Sequence, residues 1–266
     1  MTLRWRICMQ IQQCAIIALG RLVNHDVKVA QEILNQDFIP LLIRNIDKKN
    51  KYYRKAVLFV LRSVCEHDAE MANVVVTCSG ALEVLIICLE DFEPIVKENA
   101  AWALGYIARH SPNLAQTPYP KSALASCLTS QNPLLVLCLQ ESELALPQIG
   151  ASVMSDIAKH SVEFAQSVLD GGAVPHLAKS LNNPDEKLKR QILAALSSIA
   201  KHTMELAEVV VEAEIFPSVL IHMAHGCPIV GKNAAALVRD VVKTFFGVSV
   251  ARREYGRYRC YRRRSS

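Results

Sequence analysis

Residues 107–116, 157–166 and 199–208 read IARHSPNLAQ, IAKHSVEFAQ and IAKHTMELAE, which are three near copies of one pattern. The histidine of this pattern recurs along the chain at His25, His67, His110, His160 and His202. The intervals are 42, 43, 50 and 42 residues, and a further step of 42 reaches Thr244. A fixed period of this length is the signature of a repeat architecture, so this pattern decides the fold.

The residues around each histidine also recur in columns. Five positions after it stand Ala30, Ala72, Ala115, Ala165 and Ala207. Three positions before it stand Leu22, Val64, Ile107, Ile157, Ile199 and, in register with Thr244, Val241. Apolar columns at this spacing share one face of a helix, and alanine lets neighbouring helices approach closely. We therefore expect both columns to be buried.

Each repeat is predicted to contain three helices. A capping residue follows each histidine, namely Asp26, Asp68, Ser111, Ser161 or Thr203. The first helix ends near Gly80 or Gly171–Gly172, because glycine readily adopts the left-handed backbone of a helix end. A short second helix and a polar loop follow, and a long third helix such as 186–202 closes the unit.

Three helices in about 42 residues are typical of the armadillo repeat. ENAAWALGYIARH (98–110) is similar to the third helix of such a repeat, and GGAVPHLAKSL (171–181) is similar to its second. The prediction is an all-α armadillo-repeat α-solenoid with a right-handed superhelix. We assign 1–25 to a partial repeat with a third helix only, 26–244 to five repeats with an irregular insert at 117–132, and 245–266 to an Arg-rich, disordered tail. We expect the chain to be part of a longer armadillo protein.

The composition excludes several classes of protein. Apolar residues make up 51% and charged residues 21%, which permits a core and argues against disorder of the whole chain. The nine cysteines form no CxxC pair, so we expect reduced thiols in a cytosolic protein. The longest uncharged stretch, 122–140, contains Asn132 and Pro133 and would cross a bilayer poorly. We predict no membrane span.

The net charge of +5 is located at one end of the chain. Residues 249–266 hold seven arginines and one glutamate, which leaves 23 basic and 24 acidic residues in the rest. Tyr255, Tyr258 and Tyr261 alternate with these arginines, a pattern that can bind nucleic acid or another acidic polymer without sequence specificity. The other interpretation is a disordered tail, since no trace of the repeat continues there.

Catalytic and cofactor sites are not predicted. GCPIVGKN (226–233) resembles a phosphate-binding loop, but Asn233 stands where magnesium binding needs Ser or Thr, and a helix precedes it where that loop needs a strand. Successive histidines of the column lie about 10 Å apart, too far to share one metal ion at about 2 Å. We expect the histidines at helix ends instead. We predict no enzyme activity, no cofactor and no metal.

Basic residues recur where the third helices begin. The positions that we predict to bind a partner are Arg54, Lys55, Lys97, Lys189, Arg190 and Lys232. Positive charge at a helix N-terminus is unfavourable by roughly 0.3–1 kcal/mol, so its recurrence along one edge favours an acidic partner. The alternative is a solvated edge, neutralised in part by Asp47, Glu98, Asp185 and Glu186.

Whole units also resemble the armadillo-repeat proteins of the ciliary and flagellar central apparatus. The similar segments are 18–34, 51–64, 81–110 and 157–220, whereas 117–132, Pro147–Gln148 and the residues after 245 depart. The resemblance implies a non-catalytic, microtubule-associated scaffold that supports axoneme integrity and the motility of cilia and sperm flagella. It also implies a place in the cytoplasmic cytoskeleton at the axoneme, and central-apparatus partners that include a WD-repeat protein.

Armadillo repeats also occur in nuclear import adaptors and in general protein-binding or peptide-binding adaptors. Nuclear import adaptors carry a row of Trp and Asn residues on successive third helices, and these residues bind an extended peptide. The Trp positions here read Ile17, Phe59, Trp102, Ser152, Ala194 and Ala236, and the Asn positions hold no Asn. The import function is therefore disfavoured, while a general protein-binding or peptide-binding adaptor of the cytosol stays open.

Overall fold

The computed structural model describes the backbone of residues 2–44, 46, 50–110 and 134–262, and the side chains of 10–44, 46, 50–110 and 134–246. The described helices are α1 Thr2–His25, α2 Val27–Leu34, α3 Phe38–Ile43, α4 Lys51–His67, α5 Ala69–Thr77, α6 Ala81–Cys88, α7 Pro94–Arg109, α8 Leu134–Leu137, α9 Ala145–Ala158, α10 Val162–Asp170, α11 Ala173–Ser180, α12 Glu186–Ala200, α13 Met204–Glu212, α14 Phe216–Met223 and α15 Pro228–Arg262. A short 3-10 helix, Cys138–Gln140, follows α8.

Where the structure describes a whole unit, over residues 26–67 (apart from 45 and 47–49), 68–110, 161–202 and 203–244, the unit contains three helices, as the sequence predicts. The third helices are α1, α4, α7, α9, α12 and α15, and each packs along the next one. One continuous hydrophobic core runs between the units. Such a stack buries the apolar face of each unit against its neighbours, because a single unit cannot bury that face alone.

Both predicted columns lie in this core. The alanines Ala30, Ala72, Ala165 and Ala207 are fully buried, and so are Val64, Ile107 and Ile199. Leu22 is the exception, since it is exposed on a face of α1 that no described helix covers. Ala115 lies outside the described residues.

The first helices begin at the predicted caps. Asp26, Asp68, Ser161 and Thr203 each accept a hydrogen bond from a backbone N–H two or three residues ahead, at 2.7–3.3 Å. Ser111 lies outside the described residues. Gly80 and Gly172 hold left-handed backbone, with φ of 86° and 76°, between a first and a second helix. These glycines let the chain reverse without a side-chain clash.

The histidine column has a more specific role than a helix end. Its side chains reach back to a carbonyl near the end of the preceding third helix. The pairs are His67 Nε2 with the Val23 oxygen at 2.6 Å, His202 Nε2 with the Ala158 oxygen at 2.6 Å, and Thr244 Oγ1 with the Ala200 oxygen at 3.0 Å. A carbonyl only accepts, so each imidazole donates. Thr244 therefore takes the place of the missing histidine, and these three contacts each tie a unit to the one before it.

His160 faces the carbonyl of Ala108 in the same way, but its Nε2 is buried without a hydrogen bond of normal geometry to any described residue. Burial chiefly lowers the pKa of His160, and the charges of Lys159 and Lys201 lower it further while Asp156 opposes them. The neutral ring is thus the form that the folded state prefers.

We expect the stability of the protein to fall as the pH drops below about 6.5, because the unfolded state then binds a proton that folded His160 resists. Urea unfolding at pH 7.5 and pH 5.5 measures this. His160→Gln should reduce the loss of unfolding free energy between these two pH values. His25→Gln is the matched control, since His25 belongs to the same column but is exposed. An equal effect of both substitutions would contradict the role of His160.

The sequence predicts two irregular regions, the insert at 117–132 and the tail at 245–266. The insert at 117–132 lies outside the described residues, and its irregularity stays a prediction. Helix α15 continues without a break from Pro228 to Arg262, so the backbone is helical over most of the segment that the sequence predicts as disordered. Residues 245–262 contain no proline, which permits the helix to continue.

The described part of the chain shows two features that bear on membrane insertion and disulfide bonding. No single helix there is long and apolar enough to cross a membrane. Only α5 and α6 taken together reach that hydropathy, and they are bent by 92° at their connection. The cysteines with described side chains are free thiols, and Cys65, Cys88 and Cys138 are buried.

Candidate functional site at the basic loop edge

The six predicted basic residues lie where third helices begin. The start of each third helix faces the loop that leads into the next third helix, and we call this contact a junction. Four junctions have described side chains on both sides: α4/α7, α7/α9, α9/α12 and α12/α15. Whether these basic residues are paired with a carboxylate of the chain differs from one junction to the next.

At the α4/α7 junction the basic residues are already paired. Arg54 Nε lies 2.7 Å from Asp91 Oδ2, and Lys55 Nζ lies 2.6 Å from Glu93 Oε1. Lys51 adds a second ammonium 3.2 Å from Glu93. The hydrogen bonds from Lys55 and Lys51 lower the pKa of Glu93. The three cations of this junction are thus each paired with one of two carboxylates of the same chain.

The next two junctions keep the contact with different chemistry. Lys97 forms an ion pair with Glu141 across the α7/α9 junction. At the α9/α12 junction, Gln148 Nε2 donates to Asp185 Oδ1 at 2.9 Å, so an amide replaces the ammonium. Asp185 also caps α12 by accepting from the N–H of Leu188. These contacts join units that are one repeat apart in sequence.

The α12/α15 junction has no acidic side chain in the loop. Lys189 and Arg190 occupy the positions of Arg54 and Lys55, but the loop positions of Asp91 and Glu93 hold His225 and Cys227. Neither Lys189 nor Arg190 forms an ion pair with any residue that the structure describes, and Arg190 Nε is buried without a hydrogen bond. Lys232, near the start of α15, is exposed.

The loop before α15 nevertheless keeps the turn of the other loops. The N–H of Cys227 donates to Nδ1 of His225 at 3.0 Å. The equivalent bond runs from Glu93 N–H to Asp91 Oδ1 at 2.9 Å, and from Asp185 N–H to Asn183 Oδ1 at 3.0 Å. His225 therefore replaces an acidic residue as the turn acceptor but supplies no negative charge to the cations facing it.

The predicted neutralising residues were the wrong ones where the structure describes them. Asp185 is engaged with Gln148 and the cap of α12, while Glu98 and Glu186 form no ion pair within the described residues. The true partners are Asp91, Glu93 and Glu141. Each lies 37–44 residues from its cation, about one repeat away. This separation of about one repeat was the sequence signal that could have identified these acidic partners. Asp47 lies outside the described residues.

Sequence reasoning also missed an aromatic cluster on the third helices. The rings of Trp102 and Tyr106 stack with centroids 5.5 Å apart, and the Arg62 guanidinium lies 5.3 Å from the Trp102 centroid. Burial, with Glu66 nearby, raises the pKa of Tyr106. Trp102 is half-buried, so part of its side chain stays accessible.

The motif at 226–233 lies at the α12/α15 junction. Asn233 Nδ2 donates to the carbonyl of Arg190 at 3.0 Å, which ties the start of α15 to α12. This side chain has a structural role at the position where magnesium binding needs a hydroxyl. Within the described residues, no group of three or more His, Cys, Asp or Glu side chains is placed to hold a metal ion.

The chain matches known proteins over parts of its sequence. Residues 74–109 and 161–201 match the family described as armadillo/beta-catenin-like repeat. Over 46 residues the chain is 52% identical to sperm-associated antigen 6 of Mus musculus and 50% identical to that of Homo sapiens. Each match spans 17% of this chain and 9% of the relative.

Solved structures match over most of the chain. A designed armadillo repeat protein in complex with the peptide (KR)4 has a TM-score of 0.76 at 21% identity, covering 86% of this chain and 92% of that one. An engineered protein has a TM-score of 0.80 at 19% identity, covering 89% and 92%. These identities establish the fold. The chain is therefore an all-α solenoid of armadillo repeats that is similar, over one short stretch, to sperm-associated antigen 6.

Proposed function

We propose that the chain is a non-catalytic scaffold of the ciliary and flagellar axoneme, associated with the microtubules of the central apparatus. In this role it supports axoneme integrity and the motility of cilia and sperm flagella. Its neighbours are tubulin and other central-apparatus proteins, including a WD-repeat protein, and its place is the cytoplasmic cytoskeleton. The short match to sperm-associated antigen 6 and the repeat body support this assignment.

The single observation that carries the binding surface is the change in charge pairing along the edge. Arg54, Lys55 and Lys97 already contact carboxylates of their own chain, whereas Lys189 and Arg190 face a loop without acids. Exposed paired charges contribute little to attracting a partner, because their field is largely cancelled. We therefore place the contact with an acidic microtubule surface at Lys189, Arg190 and Lys232, and assign the other three mainly to holding units together.

Co-sedimentation with microtubules at low and moderate salt tests this proposal. The intact chain should pellet at low salt and be released as salt rises. Replacing Lys189, Arg190 and Lys232 together by glutamate should weaken binding by about tenfold or more, since each lost contact contributes roughly 0.5–1 kcal/mol and the new charges repel.

The matched control reverses three exposed basic residues outside the edge: Lys28, Arg44 and Lys179. This variant has the same net charge as the triple edge variant, so it should still pellet if position matters. A third variant replaces the seven arginines of 249–266 by glutamine to test the tail. If only this variant loses binding, the tail acts as a nonspecific polycation and the edge assignment is wrong. If the intact chain does not pellet, direct microtubule binding is refuted.

A second candidate function is that of a peptide-binding adaptor. The partly accessible Trp102 side chain, stacked on Tyr106 and flanked by Arg62, is the kind of aromatic platform that holds an extended chain. One structural neighbour is described as complexed with the peptide (KR)4. Fluorescence anisotropy with labelled (KR)4 tests this function. Binding that Trp102→Ala abolishes would favour the adaptor, and absence of binding by the intact chain would exclude this peptide as a ligand.

A further inference from the structure

The α12/α15 junction carries the features of a recognition site whose ligand the chain itself identifies. At the α4/α7 junction, the loop presents Asp91 and Glu93 to Arg54 and Lys55. Those two carboxylates are separated by one residue in sequence. The pair of cations at Lys189 and Arg190 repeats the same two positions of the unit. The molecule thus shows which chemical groups satisfy such a pair.

The missing carboxylates leave Lys189 and Arg190 without an ion pair among the described residues, whereas Arg54 and Lys55 each have one. Arg190 Nε is buried and has no hydrogen-bond partner among the described side chains or backbone. A buried guanidinium nitrogen without an acceptor is costly, and structures usually satisfy it. The Arg190 side chain as a whole is half-buried, so a carboxylate supplied from outside the chain can pair with the accessible part of its guanidinium.

The surroundings of Arg190 are positive as well. Burial chiefly lowers the pKa of His222 on α14; the Leu181 carbonyl opposes this shift, and the charge of Lys189 lowers the pKa further. The buried Nε2 of His222 faces the Leu181 carbonyl without a hydrogen bond of normal geometry. Lys189 adds a formal charge next to Arg190 on α12, and Glu186, exposed at the start of α12, forms no ion pair within the described residues. A carboxylate placed here meets more than one donor.

The junction is also open to a ligand. An ideal Cβ on Gly226, in the loop beside these residues, would meet nothing within 4 Å. Lys232 is exposed on the adjacent helix, and Asn233 holds α15 in place through the Arg190 carbonyl. The donors are therefore held by packed helices, while the loop beside them leaves space.

We propose that the α12/α15 junction binds an acidic segment of a partner protein in which two carboxylate residues are separated by one residue. The segment places its carboxylates where Asp91 and Glu93 stand at the α4/α7 junction. Charge-assisted hydrogen bonds to a guanidinium are among the stronger polar contacts, which suits Arg190 to a central role. This inference rests on the proposed scaffold function and names the chemistry of its contact.

The probe is a synthetic peptide with this chain's own sequence LEDFEPI, residues 89–95, which carries the carboxylates of Asp91 and Glu93 in their natural spacing and, beside them, that of Glu90. Its control, LQNFQPI, has the same shape without the charges. Fluorescence anisotropy with the full chain at low and moderate salt should show that LEDFEPI binds about tenfold more tightly than LQNFQPI, and that salt weakens this difference.

Two substitutions and one control test whether the peptide binds at the α12/α15 junction. Lys189→Gln and Arg190→Gln should each weaken binding of LEDFEPI by about three- to tenfold, since each removes one charged donor. Arg54→Gln is the matched control, because Arg54 already contacts Asp91, and it should leave peptide affinity unchanged. Equal affinity for both peptides, or wild-type affinity after Lys189→Gln and Arg190→Gln, would overturn the proposal.

A gain-of-function variant tests the same idea from the opposite direction. His225→Asp with Cys227→Glu installs the acidic residues of the α4/α7 loop in the loop before α15. The internal carboxylates should occupy the site, raise the unfolding midpoint and reduce peptide affinity by about tenfold. Unchanged peptide binding in this variant would show that the peptide does not use the junction.

The failure of this inference is distinguishable from that of the proposed function. If the glutamate variant of the edge loses microtubule binding but LEDFEPI does not bind, the scaffold function stands and the paired-carboxylate ligand is wrong. If LEDFEPI binds at the junction and microtubules do not pellet, the acidic-segment site stands and its partner is another protein.

Discussion

Replacing Leu104 by alanine is expected to lower the free energy of unfolding by about 2–5 kcal/mol. Leu104 is fully buried in α7, the third helix that packs between α4 and α9. The substitution removes apolar surface from the core and leaves a cavity that helices held from both sides cannot close. Urea unfolding followed by circular dichroism measures the change.

Leu220→Ala provides the control for Leu104→Ala. The chemistry is identical, but Leu220 on α14 is 56% exposed. We expect its effect to stay within about 0.5 kcal/mol. Equal losses at the two positions would contradict the packing described for α7, because burial is the only intended difference between them.

Replacing Gly105 by alanine should also destabilise the protein, by about 1–3 kcal/mol, although alanine favours helices. An ideal Cβ on Gly105 would lie 2.6 Å from Cγ2 of Val153, a buried β-branched side chain on α9. Such a contact forces one helix to move. The intrinsic helix preference of alanine over glycine, about 1 kcal/mol, opposes this effect without cancelling it.

A double-mutant cycle makes the prediction about Gly105 specific. Val153→Ala alone should destabilise, because it creates a cavity. Combined with Gly105→Ala, however, it removes the clash, so the double variant should be more stable than the sum of the single effects by about 0.5–3 kcal/mol. Gly226→Ala is the neutral control, since nothing lies within 4 Å of its Cβ. Additive effects in the cycle would refute the close approach of α7 and α9.

The chain sequence by itself determined the repeat and its helices. The 42-residue period, the alanine column and the capping residues are local or periodic signals, so they can be read without knowing which units touch. Helix α13, for example, begins directly after the predicted cap Thr203. The fold class therefore followed from the sequence.

The tertiary structure alone decided which charges are available. The sequence predicted six equivalent basic residues, but an ion pair such as Arg54 with Asp91 joins residues 37 apart and depends on how units stack. The carbonyl that His202 contacts is likewise 44 residues away. Composition sets how many charges a unit has, whereas the packing of one unit against the next sets which of them meet a partner. Only the stacked helices distinguish Lys189 and Arg190 from their paired counterparts.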